Sequence, residues 1–179
     1  MTAIKSLKIE PLDRPVDATV SILGSKSYTN RVLVMAALAE GHSTLRGALF
    51  SEDTEHMSDA LRRLGIRVDA DEAAARFDVD GSGGRIPASK AELFTGNSGT
   101  SARFLVSLAA LGHGSYVVDG GPRMRERPIQ ELLDGLSQLG VRVSAQFGNG
   151  CPPVSIVADG ITGGKTRMDG GMVGYLPGK

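Results

Sequence analysis

The 179 residues include no tryptophan, one cysteine, three histidines and only 4% aromatics. The lone Cys151 excludes an internal disulfide, and three scattered histidines provide no metal-ligand spacing, so no metal is expected. Net charge is absent as well: 20 Lys and Arg balance 20 Asp and Glu, so no overall field recruits nucleic acid or an anionic membrane. Any anion site must therefore be local. No apolar run reaches the roughly 18 residues of a membrane-spanning helix. Without a signal-peptide pattern at its start, the chain is expected to be cytoplasmic. What is abundant is glycine, 24 residues, within a composition 41% hydrophobic and 22% charged. This is the balance of a globular domain with many tight turns.

The most informative stretch is Gly24-Ser25-Lys26-Ser27-Tyr28-Thr29-Asn30-Arg31, which opens onto the apolar run Val32 to Ala39. A helix there places Lys26, Ser27 and Arg31 at its N-terminus, with Ser27 and Arg31 on one face. Unpaired backbone N–H groups, the positive end of the helix dipole, a hydroxyl and two cations then favour a phosphate or carboxylate. An ordinary capped helix with surface charges reads equally well from this stretch alone.

Taken in order, residues 4 to 10 and 17 to 22 read as short strands, followed by the helix from about Ser25 to Ala39. His42 to Gly47 reads as a strand. Ser51-Glu52-Asp53-Thr54 starts a second helix that is apolar at Met57, Ala60, Leu61 and Leu64 and closed by Gly65. Ile66 to Val68 and Arg76 to Val79 read as strands. Phe94-Thr95-Gly96-Asn97-Ser98-Gly99-Thr100-Ser101-Ala102-Arg103 then leads into a second apolar helix, Phe104 to Leu111. A strand over 115 to 118 follows, then Pro122-Arg123-Met124-Arg125-Glu126-Arg127-Pro128 and an amphipathic helix from Ile129 to Leu139. Strands are expected at 141 to 143, 154 to 157 and 165 to 168, and an irregular tail at 169 to 179.

This order is an internal repeat, with repeat one at about 24–90 and repeat two at about 91–168 of a single domain spanning 1–179. Arg31 plus 72 is Arg103, and Leu64-Gly65-Ile66-Arg67-Val68 returns as Leu139-Gly140-Val141-Arg142-Val143. Each copy runs glycine-bearing turn, apolar helix, strand, amphipathic helix, glycine cap, strands. A helix apolar all round must be buried all round. The expectation is thus an α/β (α+β) fold with buried helices, outer sheets and helix N-termini converging at one end.

Three motifs in order, Gly24-Ser25-Lys26-Ser27 through Arg31, Gly96-Asn97-Ser98-Gly99-Thr100 with Arg103, and Pro122 to Ile129, together resemble the 5-enolpyruvylshikimate-3-phosphate synthase family. Cys151-Pro152-Pro153-Val154 is similar too. The resemblance runs from about residue 5 to about 170 and covers less than half of the family's chain. It implies repeated βαβαββ units, here about two, and transfer of the enolpyruvyl group of phosphoenolpyruvate to shikimate-3-phosphate, without a cofactor. It assigns Lys26 a catalytic place between the substrates, and Ser27 and Arg31 to shikimate-3-phosphate. Gly99 and Arg127, with Lys26, are assigned to phosphoenolpyruvate, and Asn97, Thr100 and Arg103 to the supporting loop. Glyphosate competes with phosphoenolpyruvate in this family. Here Phe104 stands where Pro is frequent and Ser98 where Ala is common, which implies an altered response. Leu23 likewise replaces a frequent Pro. The family's third-repeat Ser-Ser-Gln segment and its general-base Asp have no counterpart in these residues.

Other readings are weaker. Gly160-Ile161-Thr162-Gly163-Gly164-Lys165-Thr166 is one residue short of a P-loop and lacks its helix context. Arg123 to Arg127 has no aromatic interleaving of the kind that binds nucleic acid. A related transferase acting on UDP-N-acetylglucosamine carries Asn after its first Lys, where this chain has Ser27. Asp53, Glu55 and Glu126 read as helix-start or loop charges, and Cys151 as passive. The alternative to an enzyme is a substrate-binding fragment that needs a partner chain. An apolar flank on such a domain predicts a homo-oligomer or a complementing second chain.

Overall fold

The computed structural model describes residues 8–11 and 13–168. It comprises α1 (Lys26–Leu38), β1 (Glu40–Arg46), α2 (Glu52–Arg63), β2 (Arg67–Asp71), β3 (Arg76–Ser82), β4 (Lys90–Phe94), α3 (Gly99–Ala109), β5 (His113–Asp119), α4 (Gln130–Gln138), β6 (Arg142–Ala145) and β7 (Val154–Asp159), with a short 3-10 turn at Met124–Glu126. Local chemistry sets the helix boundaries. The Ser25 hydroxyl accepts the Tyr28 N–H at the start of α1, and the Ser98 hydroxyl accepts the Ser101 N–H at the start of α3. Glu52, Asp53 and Glu55 fill the first turn of α2 and Arg62 and Arg63 its last, both in accord with the helix dipole. Gly65 follows α2 with φ 86°, a conformation glycine adopts without a side-chain clash.

The strands form two sheets, ordered β1-β3-β2 and β4-β5-β7-β6. All pairs are antiparallel except β4 with β5, which are parallel and joined through α3. The second sheet has the topology of the first plus one strand. A shared side-chain pair marks the correspondence: His42 and Asp80 face each other across β1 and β3, with Nδ1 and Oδ1 2.7 Å apart. His113 and Asp159 do the same across β5 and β7 at 2.8 Å. Between the sheets and helices lies one core in which Leu33, Met57, Leu61, Phe77, Leu105, Tyr116 and Ile156 are buried. Buried Tyr116 keeps its hydroxyl paired by donating to the Ala88 carbonyl at 2.7 Å.

The structure departs from the sequence expectations at five places. Residues 17 to 22 form no strand, because no neighbouring ladder pairs with them, and Val20 and Ile22 are 77% and 95% exposed. The same holds for 8 to 10, while 4 to 7 lie outside the described residues, as does the tail from 169. Lys165–Met168 is not a strand either: its backbone is held by α4, where Gln138 bonds both the N–H and the carbonyl of Arg167. An unforeseen strand appears at β4, which depends on parallel pairing with β5. Finally, α1 is not buried on all sides, since Tyr28, Val32 and Met35 remain exposed along one face.

His42 provides a pH handle on the first sheet. Its hydrogen bond to Asp80, against a smaller effect of desolvation, raises its pKa above 6.5, with Asp78 adding to the rise. A raised folded-state pKa contributes stability below the unfolded value, and that contribution is lost as pH rises through the folded one. In a two-dimensional NMR titration the His42 ring should therefore titrate above 6.5. Asp80→Asn should lower that midpoint, and an unchanged midpoint would show that the pair is not what holds the proton.

Candidate functional site

The N-terminal ends of α1, α2 and α3 and the loop 120–128 are tied together by contacts between residues far apart in sequence. Asn30 on α1 donates from Nδ2 to the Ser101 hydroxyl on α3 at 3.3 Å, and both residues are buried. The Asn30 side-chain oxygen, Oδ1, is buried without a hydrogen-bond partner among the described residues. At the next residue of α1, the Arg31 guanidinium carbon lies 5.7 Å from the centre of the Phe104 ring, a cation–π contact between the same helices. Lys26, the first residue of α1, reaches Asp53 in the first turn of α2, with Nζ and Oδ2 2.9 Å apart. Its side chain remains 53% exposed, so the ion pair orients the ammonium without sequestering it.

From α2 the contacts continue to the second glycine turn. The His56 ring lies edge-on to Phe94, centroids 5.1 Å apart, and directly against Gly96. A Cβ on Gly96 would sit 2.6 Å from His56 Cδ2, and the backbone there has φ 54°. Glycine is needed on both counts. Two arginines then close on Gly99, the first residue of α3. Arg127 donates to the Asn97 carbonyl at 3.1 Å, while Arg103 donates to the Gly99 carbonyl at 3.2 Å and the Pro128 carbonyl at 2.9 Å. A Cβ on Gly99 would lie 3.1 Å and 3.3 Å from the nearest nitrogens of these two guanidinium groups.

The loop that carries Arg127 is anchored at its root. Arg125 donates to both carboxylate oxygens of Asp119 at the end of β5, with Nε–Oδ1 at 3.0 Å. Burial acts to raise the Asp119 pKa, but the Arg125 hydrogen bonds and the Gly120 N–H outweigh it and hold the carboxyl below its ordinary range. Asp119 is thus a fixed anion that orients a cationic loop.

Of the residues singled out from sequence, Asn97, Gly99, Arg103 and Arg127 come together in one cluster, with Thr100 exposed in the first turn of α3. Lys26, Ser27 and Arg31 occupy the start of α1, where Arg31 donates to the Ser27 carbonyl at 3.0 Å. The α1 and α3 groups are linked through Asn30–Ser101 and Arg31–Phe104. Asp53 and His56 were not foreseen as partners of this region. Only the proximity of Lys26 and Gly96, which the sequence separates by 27 and 40 residues respectively, gives them that part. Among the described residues no cluster of three or more His, Cys, Asp or Glu could hold a metal ion. The arrangement is an open, cationic surface carrying helix N-termini, suited to phosphate and carboxylate groups.

The sequence matches the profile of EPSP synthase (3-phosphoshikimate 1-carboxyvinyltransferase) over residues 12–174. The chain belongs to the EPSP synthase family. It is 47% identical over 163 residues to the 3-phosphoshikimate 1-carboxyvinyltransferase of Trichormus variabilis, covering 91% of this chain and 38% of that relative. The chloroplastic 3-phosphoshikimate 1-carboxyvinyltransferase of Solanum lycopersicum is 44% identical over 165 residues, covering 88% of this chain and 32% of its own length. Among solved structures, EPSP synthase from Acinetobacter baumannii superimposes with a TM-score of 0.71 at 28% identity, over 79% of this chain and 32% of that one. The mixed α/β architecture is that of this family. The chain spans only 38% of the length of such a curated relative.

The packing of Gly96 against His56 yields a stability test. Gly96→Ala should cost about 1–3 kcal/mol in urea unfolding, the range for strained-backbone and overpacked positions. Combining it with His56→Ala should recover part of that loss. Additive losses would show that the ring does not set the glycine requirement.

Proposed function

We propose that this chain binds shikimate-3-phosphate and phosphoenolpyruvate and forms one wall of an enolpyruvyl-transfer site. The reaction adds the 5-hydroxyl of shikimate-3-phosphate to phosphoenolpyruvate with protonation of the methylene carbon. Loss of phosphate and of a proton from the new methyl group then restores the enolpyruvyl double bond. The observation that carries the reading is the convergence of Arg103 and Arg127 on Gly99 at the start of α3. There the absent side chain lets two guanidiniums close on the helix start, so an anion at its backbone N–H groups would meet both cations.

In this reading Lys26, steadied by Asp53, lies between the substrates and offsets charge on the tetrahedral intermediate. Ser27 and Arg31 hold shikimate-3-phosphate. Gly99 and Arg127, with Lys26, hold phosphoenolpyruvate, while Asn97, Thr100 and Arg103 keep the loop in shape. Such preorganised cations cost no reorganisation as charge develops, which is where electrostatic catalysis derives its several kcal/mol. The groups that move protons come from outside this set, so we infer that turnover requires a second chain or segment. The alternative is a chain that binds substrates without reacting them and needs a partner chain for activity. Glyphosate, an anion of similar size to phosphoenolpyruvate, would share the Gly99–Arg127 subsite. Phe104, stacked under Arg31, would alter its binding through the position of α3. A cytoplasmic setting accords with these small anionic metabolites.

Arg31→Ala should weaken shikimate-3-phosphate binding at least tenfold by calorimetry, and unchanged affinity removes Arg31 from the site. Phosphate release from the two substrates by the purified chain separates the enzyme from the fragment. Binding with no turnover at any protein concentration leaves only the latter.

A further inference from the structure

Three side chains carry a hydrogen-bond chain from α1 into the start of α3. Asn30 Nδ2 donates to Ser101 Oγ at 3.3 Å, and Ser101 Oγ donates in turn to Ser98 Oγ at 2.8 Å. The Ser101 N–H also donates to Ser98 Oγ, at 3.4 Å, which caps the helix. All three residues are buried. The direction of the chain is set at Ser101, whose hydroxyl has a single proton. That proton goes to Ser98, so Ser101 accepts from Asn30. The Asn30 amide therefore turns its nitrogen to Ser101 and leaves Oδ1 unpaired.

Ser98 ends the chain with one group left over. Its oxygen takes two donors from Ser101, while its own O–H has no acceptor among the described residues. The residue is only 4% exposed, so solvent has little access to that proton. A buried donor without a partner is costly. A hydroxyl that accepts two hydrogen bonds is also polarised by them, which makes its own proton a stronger donor. Ser98 directly precedes Gly99, the residue on which Arg103 and Arg127 close. Asn97 before it and Thr100 after Gly99 are exposed, so this helix start is open to a solute.

We propose that the Ser98 hydroxyl is a ligand-binding donor that gives its proton to an oxygen of the oxyanion, phosphate or carboxylate, bound at the start of α3. The arginines attract the anion through charge, and the hydroxyl fixes one of its oxygens through a short, directional bond. Ser101 and Asn30 act through Ser98 as positioning residues. Ser101 polarises the hydroxyl, and Asn30 occupies the acceptor side of Ser101 so that the Ser101 proton stays on Ser98. The proposal rests on the reading of this helix start as the phosphoenolpyruvate subsite, and it adds a residue to which that reading gives no part.

Calorimetry with phosphoenolpyruvate, and separately with shikimate-3-phosphate, tests the assignment on three variants at one position. Ser98→Ala removes hydroxyl and cap together, Ser98→Gly removes the hydroxyl but caps nearly as well as serine, and Ser98→Thr keeps both. Phosphoenolpyruvate affinity should fall at least about tenfold in the Ala and Gly variants, as for a lost hydrogen bond to a charged group, and stay within about threefold in the Thr variant. Shikimate-3-phosphate affinity should be unchanged in all three. Ser101→Ala, which leaves Ser98 in place without its polarising donor, should weaken phosphoenolpyruvate by about two- to threefold. A loss in the Ala variant that is absent in the Gly variant would reduce Ser98 to a helix cap and overturn the assignment. So would a loss in the Thr variant as large as in the Gly variant, or an equal loss for shikimate-3-phosphate, which would trace the effect to the packing of α1 on α3. Arg127→Ala separates this assignment from the reading beneath it. If that variant loses phosphoenolpyruvate while the Ser98 variants bind normally, the subsite stands and the hydroxyl has no part in it. If the unmodified chain binds no phosphoenolpyruvate, both fall. The Gly and Thr variants decide the matter even if Ser98→Ala fails to fold.

Discussion

The hydrogen bond between Asn30 and Ser101 sets the relation on which the candidate site depends. It joins two buried polar side chains near the starts of α1 and α3, the fifth and third residues of those helices. Buried polar groups are costly unless paired, so a bond of this kind fixes the relative rotation and height of the two helices more sharply than apolar packing does. With that registry fixed, Lys26 and Arg31 at one helix start and Gly99 and Arg103 at the other belong to a single surface. The Arg31–Phe104 stack adds a second restraint between the same two helices.

Around this bond, charge and sterics are divided between different residues. Asp53 and Asp119, both partly buried, are anions that hold cations in place: Lys26 for the first, and Arg125, at the root of the Arg127 loop, for the second. The neutral chain thus concentrates its positive groups locally by pairing neighbouring ones with acids behind them. Glycine serves the site at two places for separate reasons, Gly96 because a ring lies against it and its φ is positive, Gly99 because two guanidiniums crowd its missing side chain. An open surface built in this way is suited to binding anions.

The sequence made the helices and their caps legible because these are local: Ser25, Ser98 and Gly65 act on neighbours within a few residues. The arginine cluster was legible through its motifs and through the spacing of Arg31 and Arg103. Non-local pairing was harder to read. Lys90–Phe94 carries two charges in five residues, and only parallel pairing with β5 makes it a strand. Residues 17–22 show the opposite case, with an alternating pattern plain in the sequence but no ladder beside it in the structure. Likewise α1 is apolar enough to be enclosed, yet enclosure requires a neighbour on every side, and Tyr28, Val32 and Met35 have none among the described residues. Asp53 looked like an ordinary helix-start charge, which it is, and its pairing with Lys26 arises only from packing α1 against α2. His56 gave no signal in isolation.

The central claim is that helix starts distant in sequence form one anion-binding surface within this chain. Titrating isotope-labelled protein with shikimate-3-phosphate, and separately with inorganic phosphate, while recording amide NMR shifts tests it most directly. The account predicts saturable shifts at residues 26–31 and at 97–103 together, with Arg127 responding to the same ligand additions. Shifts confined to one helix start, or spread without saturation over the surface, would contradict it.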